Sequence, residues 1–147
     1  MICKAINKAF DNAKRKNWDK TFWAFDIHET MMRPNWSTKE ISTDFYPYAK
    51  EALQLISQRT DITTILYTCT HPQEIDKYLD FFSQHGIHFQ YVNENPEVKT
   101  KKYGCFEKKP YFNVLFEDKA GFDAESDWKE VLKIITKNQK SCLVSTI

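Results

Sequence analysis

Polar side chains follow three strongly apolar runs of the sequence, at the point where each run ends. Carboxylate oxygens are ligands that Mg²⁺ prefers, and a hydroxyl group can donate a hydrogen bond to a phosphoryl oxygen. Residues of these two types, if the fold brings them together, indicate a magnesium-dependent site for phosphoryl transfer. The runs are 22–25, 62–67 and 111–116, and the residues that follow them are Asp26, Thr68 and the acidic pair Glu117 and Asp118.

The same runs predict the elements that would position these residues. Short apolar runs rich in β-branched and aromatic residues are typical of parallel strands covered on both faces. Ligands of such sheets bind in the crevice outside the carboxyl ends of the strands. Alternating strands and helices predict a three-layer α/β sandwich with a mostly parallel central sheet and right-handed crossovers. A further strand is predicted over 87–92, and helices over 2–16, 48–58, 73–85 and 126–137.

A lysine pair precedes the third run. Lys108 and Lys109 stand directly before Pro110, close in sequence to the acidic pair. Taken alone, such lysines are typical of a solvated surface, and an aspartate or threonine after a strand is typical of a helix cap or a turn. The order of the four segments, rather than any one of them, indicates a functional site.

The order aspartate, threonine, lysine and acidic pair resembles the four motifs of the haloacid dehalogenase-like (HAD) hydrolase superfamily. The resemblance covers about residues 20–137. It implies a HAD-like fold without a cap domain, because the intervals in which family members carry caps are short here. The first motif is matched by Asp26-Ile27-His28-Glu29-Thr30, the second by Thr68, the third by Lys109 or Lys108, and the fourth by Glu117 and Asp118.

The resemblance implies roles for these residues in a phosphatase. Asp26 would be the nucleophile that forms an aspartyl-phosphate, which water then hydrolyses. Thr68 and Lys109 would stabilise the phosphoryl group electrostatically. Thr30 and Lys108 would be further contacts to the substrate. The expected activity is therefore that of a Mg²⁺-dependent phosphatase acting on a phosphate ester.

A divalent cation belongs to the same expectation, because a carboxylate and a phosphate repel each other. By the resemblance, Asp26, the backbone carbonyl of His28 and Asp118 would bind Mg²⁺. Glu117 would join them directly or through water. Asp123 would act through water or hold Lys109.

His28 departs from the family pattern, which has a second aspartate at this position as general acid and base. An imidazole can do acid–base work near neutral pH, but a neighbouring Mg²⁺ disfavours its protonated form. Three alternatives follow: a phosphatase that uses His28, a different phosphoryl or carbon chemistry, and a non-catalytic phosphate- or partner-binding domain. The receiver domain of bacterial signalling is disfavoured, because its acidic pair lies on the first strand.

The segment 31–46 lies where the family carries a short flap. Arg33 would bind phosphate, and Trp36 would stack on a base or sugar. Ordinary loop packing is the alternative for both. An open site would accept a nucleotide, a sugar phosphate or a phosphate on a larger molecule, nucleic acid included. A partner subunit in a homo-oligomer could also close it.

Length and composition predict one cytoplasmic domain. The 147 residues carry a net charge of +1, which gives no global case for a polyanionic partner. Secretory and membrane-spanning segments are not expected. The four cysteines lack the spacing of a zinc site or a disulfide framework, which indicates a reducing compartment. The predicted organisation is a helical extension over 1–19, a core over 20–137 and a tail over 138–147.

Overall fold

In a computed structural model, which describes residues 1–36, 40–102 and 104–145 and side chains through residue 139, helices alternate with parallel strands. The sheet has the strand order β3-β2-β1-β4, and every pair is parallel. The predicted α/β class is therefore confirmed. The strands are β1 (Thr21–Phe25), β2 (Ile62–Leu66), β3 (Tyr91–Val92) and β4 (Val114–Phe116). The helices are α1 (Ile2–Lys16), α2 (Ala49–Ser57), α3 (Pro72–Gln84) and α4 (Asp127–Ser145), with a 3-10 turn at Asp118–Ala120.

The two faces of the sheet are covered by different kinds of chain. Trp23 and Phe25 of β1 belong to the main core, to which all four helices contribute buried side chains. Phe22 and Ala24 alternate with them, as side chains on a strand do, and belong to a smaller cluster. Partly buried side chains of the crossover segment 93–113 pack against that cluster. The sheet thus lies between a helical layer and a layer of mostly irregular chain.

The first helix packs on the domain, and the last helix is longer than predicted. Helix α1 packs on β1, β4 and α4, with Ile6 fully buried. Helix α4 continues to Ser145 through most of the predicted tail, where residues 138–145 contain no proline or glycine to end it. No helix in the described part of the chain is long and apolar enough to span a membrane.

The two edge strands are shorter than the apolar runs predict, because amide side chains replace part of the backbone ladder. Next to β3, the backbone N–H of Thr64 donates to Gln90 Oε1 at 2.7 Å. Next to β4, the backbone N–H of Phe22 donates to Asn113 Oδ1 at 2.8 Å. Regular strand geometry therefore begins at Tyr91 rather than at residue 87, and at Val114 rather than at residue 111.

Candidate functional site

The strands end level with one another at their carboxyl ends. Phe25 at the end of β1 is in register with Leu66 of β2 and with Phe116 of β4, and Leu66 is in register with Val92 of β3. The residues that follow therefore emerge at one edge of the sheet. Asp26, Thr68, Glu117 and Asp118 all line a single cleft of about 410 Å³ at this edge.

Three carboxyl groups meet in the cleft. One oxygen from each of Asp26, Glu117 and Asp118 lies within 4.8 Å of the other two. Burial raises the pKa of Asp26 to about 6; the backbone hydrogen bond from Ile27 opposes this rise, and the charge of Asp118 adds to it. Burial and a hydrogen bond with Asp118 also raise the pKa of Glu117. The negative charges are therefore destabilised in this arrangement, and a positive charge among them would compensate them.

The donor set suits a hard divalent cation. Mg²⁺ takes oxygen ligands, keeps several waters and binds through one or two carboxylates. Asp26, Glu117 and Asp118 offer only oxygen, and the cleft leaves room for water and an anionic ligand beside them. No described residue contributes a cysteine or histidine to this cluster. The backbone carbonyl of His28 stays a prediction as a further ligand.

The turn after Asp26 separates residues that face the cleft from residues that face the core. The carbonyl of Ile27 accepts hydrogen bonds from the N–H groups of Met31 and Met32 at 2.9 and 3.0 Å, which closes a tight turn. Glu29 has the left-handed backbone angle φ of 61° inside this turn, an uncommon conformation for a residue with a side chain. His28 and Glu29 line the cleft as a result.

Thr30 lies on the core side of this turn. Its side chain is fully buried, and its hydroxyl accepts a hydrogen bond from the backbone N–H of Asp118 at 3.3 Å. Its carbonyl accepts a hydrogen bond from Trp128 Nε1 at 2.7 Å. Thr30 thus connects the first motif to the fourth through a buried contact. It does not face the cleft to contact substrate as predicted, because the turn directs its side chain into the core.

The imidazole of His28 is held by Tyr78 of α3. His28 Nε2 and the Tyr78 hydroxyl are 2.7 Å apart, and the hydroxyl also accepts a hydrogen bond from the backbone N–H of Ser42 at 3.0 Å. Trp36, which is 75% exposed, packs against the imidazole at a centroid distance of 5.1 Å. Burial lowers the pKa of His28, so the neutral imidazole is favoured at pH 7.

Thr68 is positioned by the end of β3 and by the loop that leads into α3. Its backbone N–H donates to Asn93 Oδ1 at 2.8 Å, and its carbonyl accepts from Asn93 Nδ2 at 2.9 Å. Its hydroxyl is 2.8 Å from the Thr70 hydroxyl. Both threonines line the cleft with the acidic cluster, where one was predicted.

The predicted lysines lie outside this cleft. Lys108 lines a separate depression of about 460 Å³, and Lys109 lines another of about 310 Å³ beside Phe106. Both lysines belong to the crossover segment 93–113, which packs on the opposite face of the sheet from the helices. The structure therefore does not bring either lysine to Asp26.

Arg33 forms ion pairs with neighbouring acidic residues. Its guanidinium forms a two-point ion pair with Glu125, with a distance of 3.2 Å from Nη2 to Oε2, and a further pair with Asp44 at 3.4 Å. It also stacks over the Tyr46 ring at 4.7 Å. Arg33 therefore has the loop-packing role that was the alternative to binding phosphate. Trp36 does line the cleft.

Several residues of the cleft were not predicted as part of a site. Lys119 stands next to the acidic pair in sequence, and this adjacency was the available signal. Glu74 of α3 and His71 before it follow the second motif in the sequence. The sequence does not indicate that they line the same cleft. Tyr78 has the spacing of an ordinary core residue of a helix, which gives no sign of its contact with His28. The unpredicted lining residues are Glu29, Cys69, Thr70, His71, Glu74 and Lys119.

Comparisons with known proteins identify the fold and no more. No family model and no curated protein matches the chain. A solved structure described as a conserved protein from Bacteroides thetaiotaomicron is similar, with a TM-score of 0.61 and 18% sequence identity. The similarity covers 81% of this chain and 92% of the other. At this level of identity, the likeness shows a shared fold and leaves function to the site itself.

Proposed function

We propose that the protein is a Mg²⁺-dependent phosphatase of the HAD-like type, with Asp26 as its nucleophile. The observation that carries the proposal is the convergence of Asp26, Glu117 and Asp118 opposite Thr68, in one cleft at the carboxyl edge of a parallel sheet. This is the arrangement that the resemblance implies. The open cleft further supports a phosphate ester of a nucleotide, a sugar or a larger molecule as substrate.

Asp26, Glu117 and Asp118 would hold the cation, which when bound would neutralise the carboxylates and polarise the phosphoryl oxygens. A carboxylate oxygen of Asp26 attacks phosphorus, and the bond from phosphorus to the ester oxygen breaks. The departing oxygen takes a proton from solvent water and leaves as an alcohol. Water then attacks the aspartyl-phosphate, so that inorganic phosphate leaves and the Asp26 carboxylate is restored.

The other side chains of the cleft assist these two steps. The hydroxyl groups of Thr68 and Thr70 are placed to donate to phosphoryl oxygens. His28 is neutral at pH 7, because burial lowers its pKa. A neutral imidazole accepts a proton from attacking water more readily than it protonates a departing oxygen. Substrates with good leaving groups should therefore react fastest.

The second candidate is a phosphate-binding domain without turnover. Two observations favour it: His28 Nε2 is engaged by Tyr78, and both predicted lysines lie outside the cleft. In this case, the acidic cluster would bind a cation and a phosphate group without forming the aspartyl-phosphate.

Hydrolysis assays separate the two candidates. Phosphate release from p-nitrophenyl phosphate and from a panel of phosphate esters would be measured with Mg²⁺ and with EDTA. Release that requires Mg²⁺ and is abolished by Asp26→Asn supports the phosphatase. Asp76→Asn, on the exposed face of α3, is the matched control and should keep full activity. Phosphate binding without release from any ester supports the second candidate.

The three described free cysteines, Cys3, Cys69 and Cys105, support a reducing compartment, and we propose the cytoplasm.

A further inference from the structure

The cleft is crowded with negative charge. Five carboxyl side chains line it, whereas among the described lining residues only Lys119 carries a permanent positive charge. A phosphate ester would enter as an anion, and the like charges would repel it unless cations compensate them. A divalent cation alone leaves an excess of negative charge. The carboxyl groups belong to Asp26, Glu29, Glu74, Glu117 and Asp118.

Lys119 is held at the cleft by the turn that carries the acidic pair. It is the middle residue of the 3-10 turn Asp118–Ala120, and its backbone N–H donates to Glu117 Oε1 at 3.1 Å. Gly121 ends the turn with a left-handed φ of 98°. The backbone of Lys119 is therefore fixed beside two of the groups that would bind the cation.

The ammonium group of Lys119 is available to a ligand. The side chain is exposed, and it forms no ion pair within 4.0 Å to any acidic residue of the described chain. It lines the same cleft as Asp26, Glu117 and Asp118. A lysine with this access and no competing partner suits binding of an anion.

We propose that Lys119 is the residue that binds and neutralises the phosphoryl group, in the role that the sequence assigned to Lys109. The inference rests on the proposed function, since it names a further residue of the same site. The ammonium would donate hydrogen bonds to phosphoryl oxygens as a compact charge, without forming a covalent bond. Lys108 and Lys109 would contribute nothing specific, because they line other depressions.

Matched lysine variants test this assignment. Lys119→Gln, Lys108→Gln and Lys109→Gln each remove one exposed positive charge, so they alter the net charge equally and should fold alike. Binding of inorganic phosphate in the presence of Mg²⁺ would be measured by calorimetry, alongside kcat/KM for p-nitrophenyl phosphate. Lys119→Gln should weaken phosphate binding by about 10- to 100-fold, the loss expected for a hydrogen bond to a charged group. Lys119→Arg should restore most of the binding.

Each result bears on the inference. Loss in Lys119→Gln, recovery in Lys119→Arg and no loss in the two control variants support it. Loss in Lys109→Gln or Lys108→Gln with binding intact in Lys119→Gln overturns it, and so does an equal loss in all three variants. If the unaltered protein with Mg²⁺ neither binds phosphate nor releases it from any ester, the proposed function fails and the inference falls with it.

Discussion

The carboxyl edge of the sheet and the crossover segment 93–113 position their charged residues in different ways. At the edge, Asp26 and Asp118 each lie within two residues of a strand end, and the register of β1 and β4 brings them together. In the crossover, Lys108 lies six residues before β4 and Lys109 lies five before it. Strand register therefore fixes the position of a side chain only when its residue follows the end of the strand closely.

The crossover segment has its own anchors, and these do not lead to the cleft. Asn95, which is 7% exposed, donates to the carbonyl of Tyr111 at 2.8 Å. Val98 and Tyr111 pack on the sheet face that carries Phe22. The lysines between these anchors are left exposed to solvent. The segment therefore covers one face of the sheet, whereas the candidate site lies at the carboxyl edge.

Removing a carboxylate from the carboxyl edge should have the largest effect. Asp118→Asn should weaken Mg²⁺ binding by at least about 100-fold. Residues that only hydrogen-bond to a metal ligand already contribute about 10- to 100-fold to metal affinity. Calorimetric titration with Mg²⁺ measures this change. Glu107→Gln, an exposed change in the crossover segment, is the control and should leave the affinity unaltered. Equal affinities in the unaltered protein and Asp118→Asn would contradict the assignment.

The link beneath the edge gives a second, smaller effect. Thr30→Val removes the hydroxyl that accepts the Asp118 N–H. An unpaired buried group costs about 1–3 kcal/mol, so the free energy of unfolding should fall by that amount. Mg²⁺ affinity should fall as well, because Asp118 loses a positioning contact. Urea unfolding and Mg²⁺ titration measure the two effects; a loss of stability with unchanged Mg²⁺ affinity would limit Thr30 to a structural role.

Tyr78 tests whether the helical side of the cleft helps to position His28. Tyr78→Phe removes the hydroxyl that contacts His28 Nε2. We expect a loss of about tenfold in kcat, less than the roughly 10²–10⁴-fold contribution of an acid–base group, because the imidazole itself remains. The imidazole resonances of His28 in NMR spectra should shift in the same variant. Tyr91→Phe, whose hydroxyl contacts Glu97 away from the cleft, is the matched control. Unchanged His28 resonances would show that the hydroxyl does not control the ring.

The smallest expected effect is a gain in stability. Because the pKa of Asp26 rises from 3.8 to about 6 on folding, its ionisation destabilises the folded state above pH 6 and has no effect below 3.8. At 1.36 kcal/mol per unit, the shift would correspond to about 3 kcal/mol, and solvent screening of the partly exposed side chain reduces this to about 1 kcal/mol.

Asp26→Asn should therefore stabilise the protein by about 1 kcal/mol at pH 8 without divalent cations, and the gain should vanish at pH 3.5. Urea unfolding in EDTA at the two pH values measures the difference. A gain of the same size at both values would mean that the charge of Asp26 is not its source.

The sequence predicted those parts of the site that lie one or two residues after a strand. Asp26, Thr68 and the acidic pair each come within two residues of a strand, so recognising the strand was enough to place the side chain. The α/β class was predictable for a related reason: continuous apolar runs indicate strands covered on both faces.

The remaining residues depend on contacts that are distant in sequence. Thr30 contacts Asp118, 88 residues away, and Arg33 is paired with Glu125, 92 residues away. The contact between Tyr78 and His28 joins residues 50 apart. Periodicity describes each element alone, so it cannot reveal which side chains meet across elements.

Anomalous diffraction from crystals grown with phosphate, and with Mn²⁺ in place of Mg²⁺, would locate the cation and the phosphate together. We expect an anomalous peak between the carboxylate oxygens of Asp26 and Asp118, with the phosphate beside it and near Thr68. Metal–oxygen distances should be about 2.1 Å, as for Mg²⁺. An empty cleft at saturating Mn²⁺, or an ion bound only at other carboxylates, would refute the convergence of these residues into a metal-dependent phosphate site.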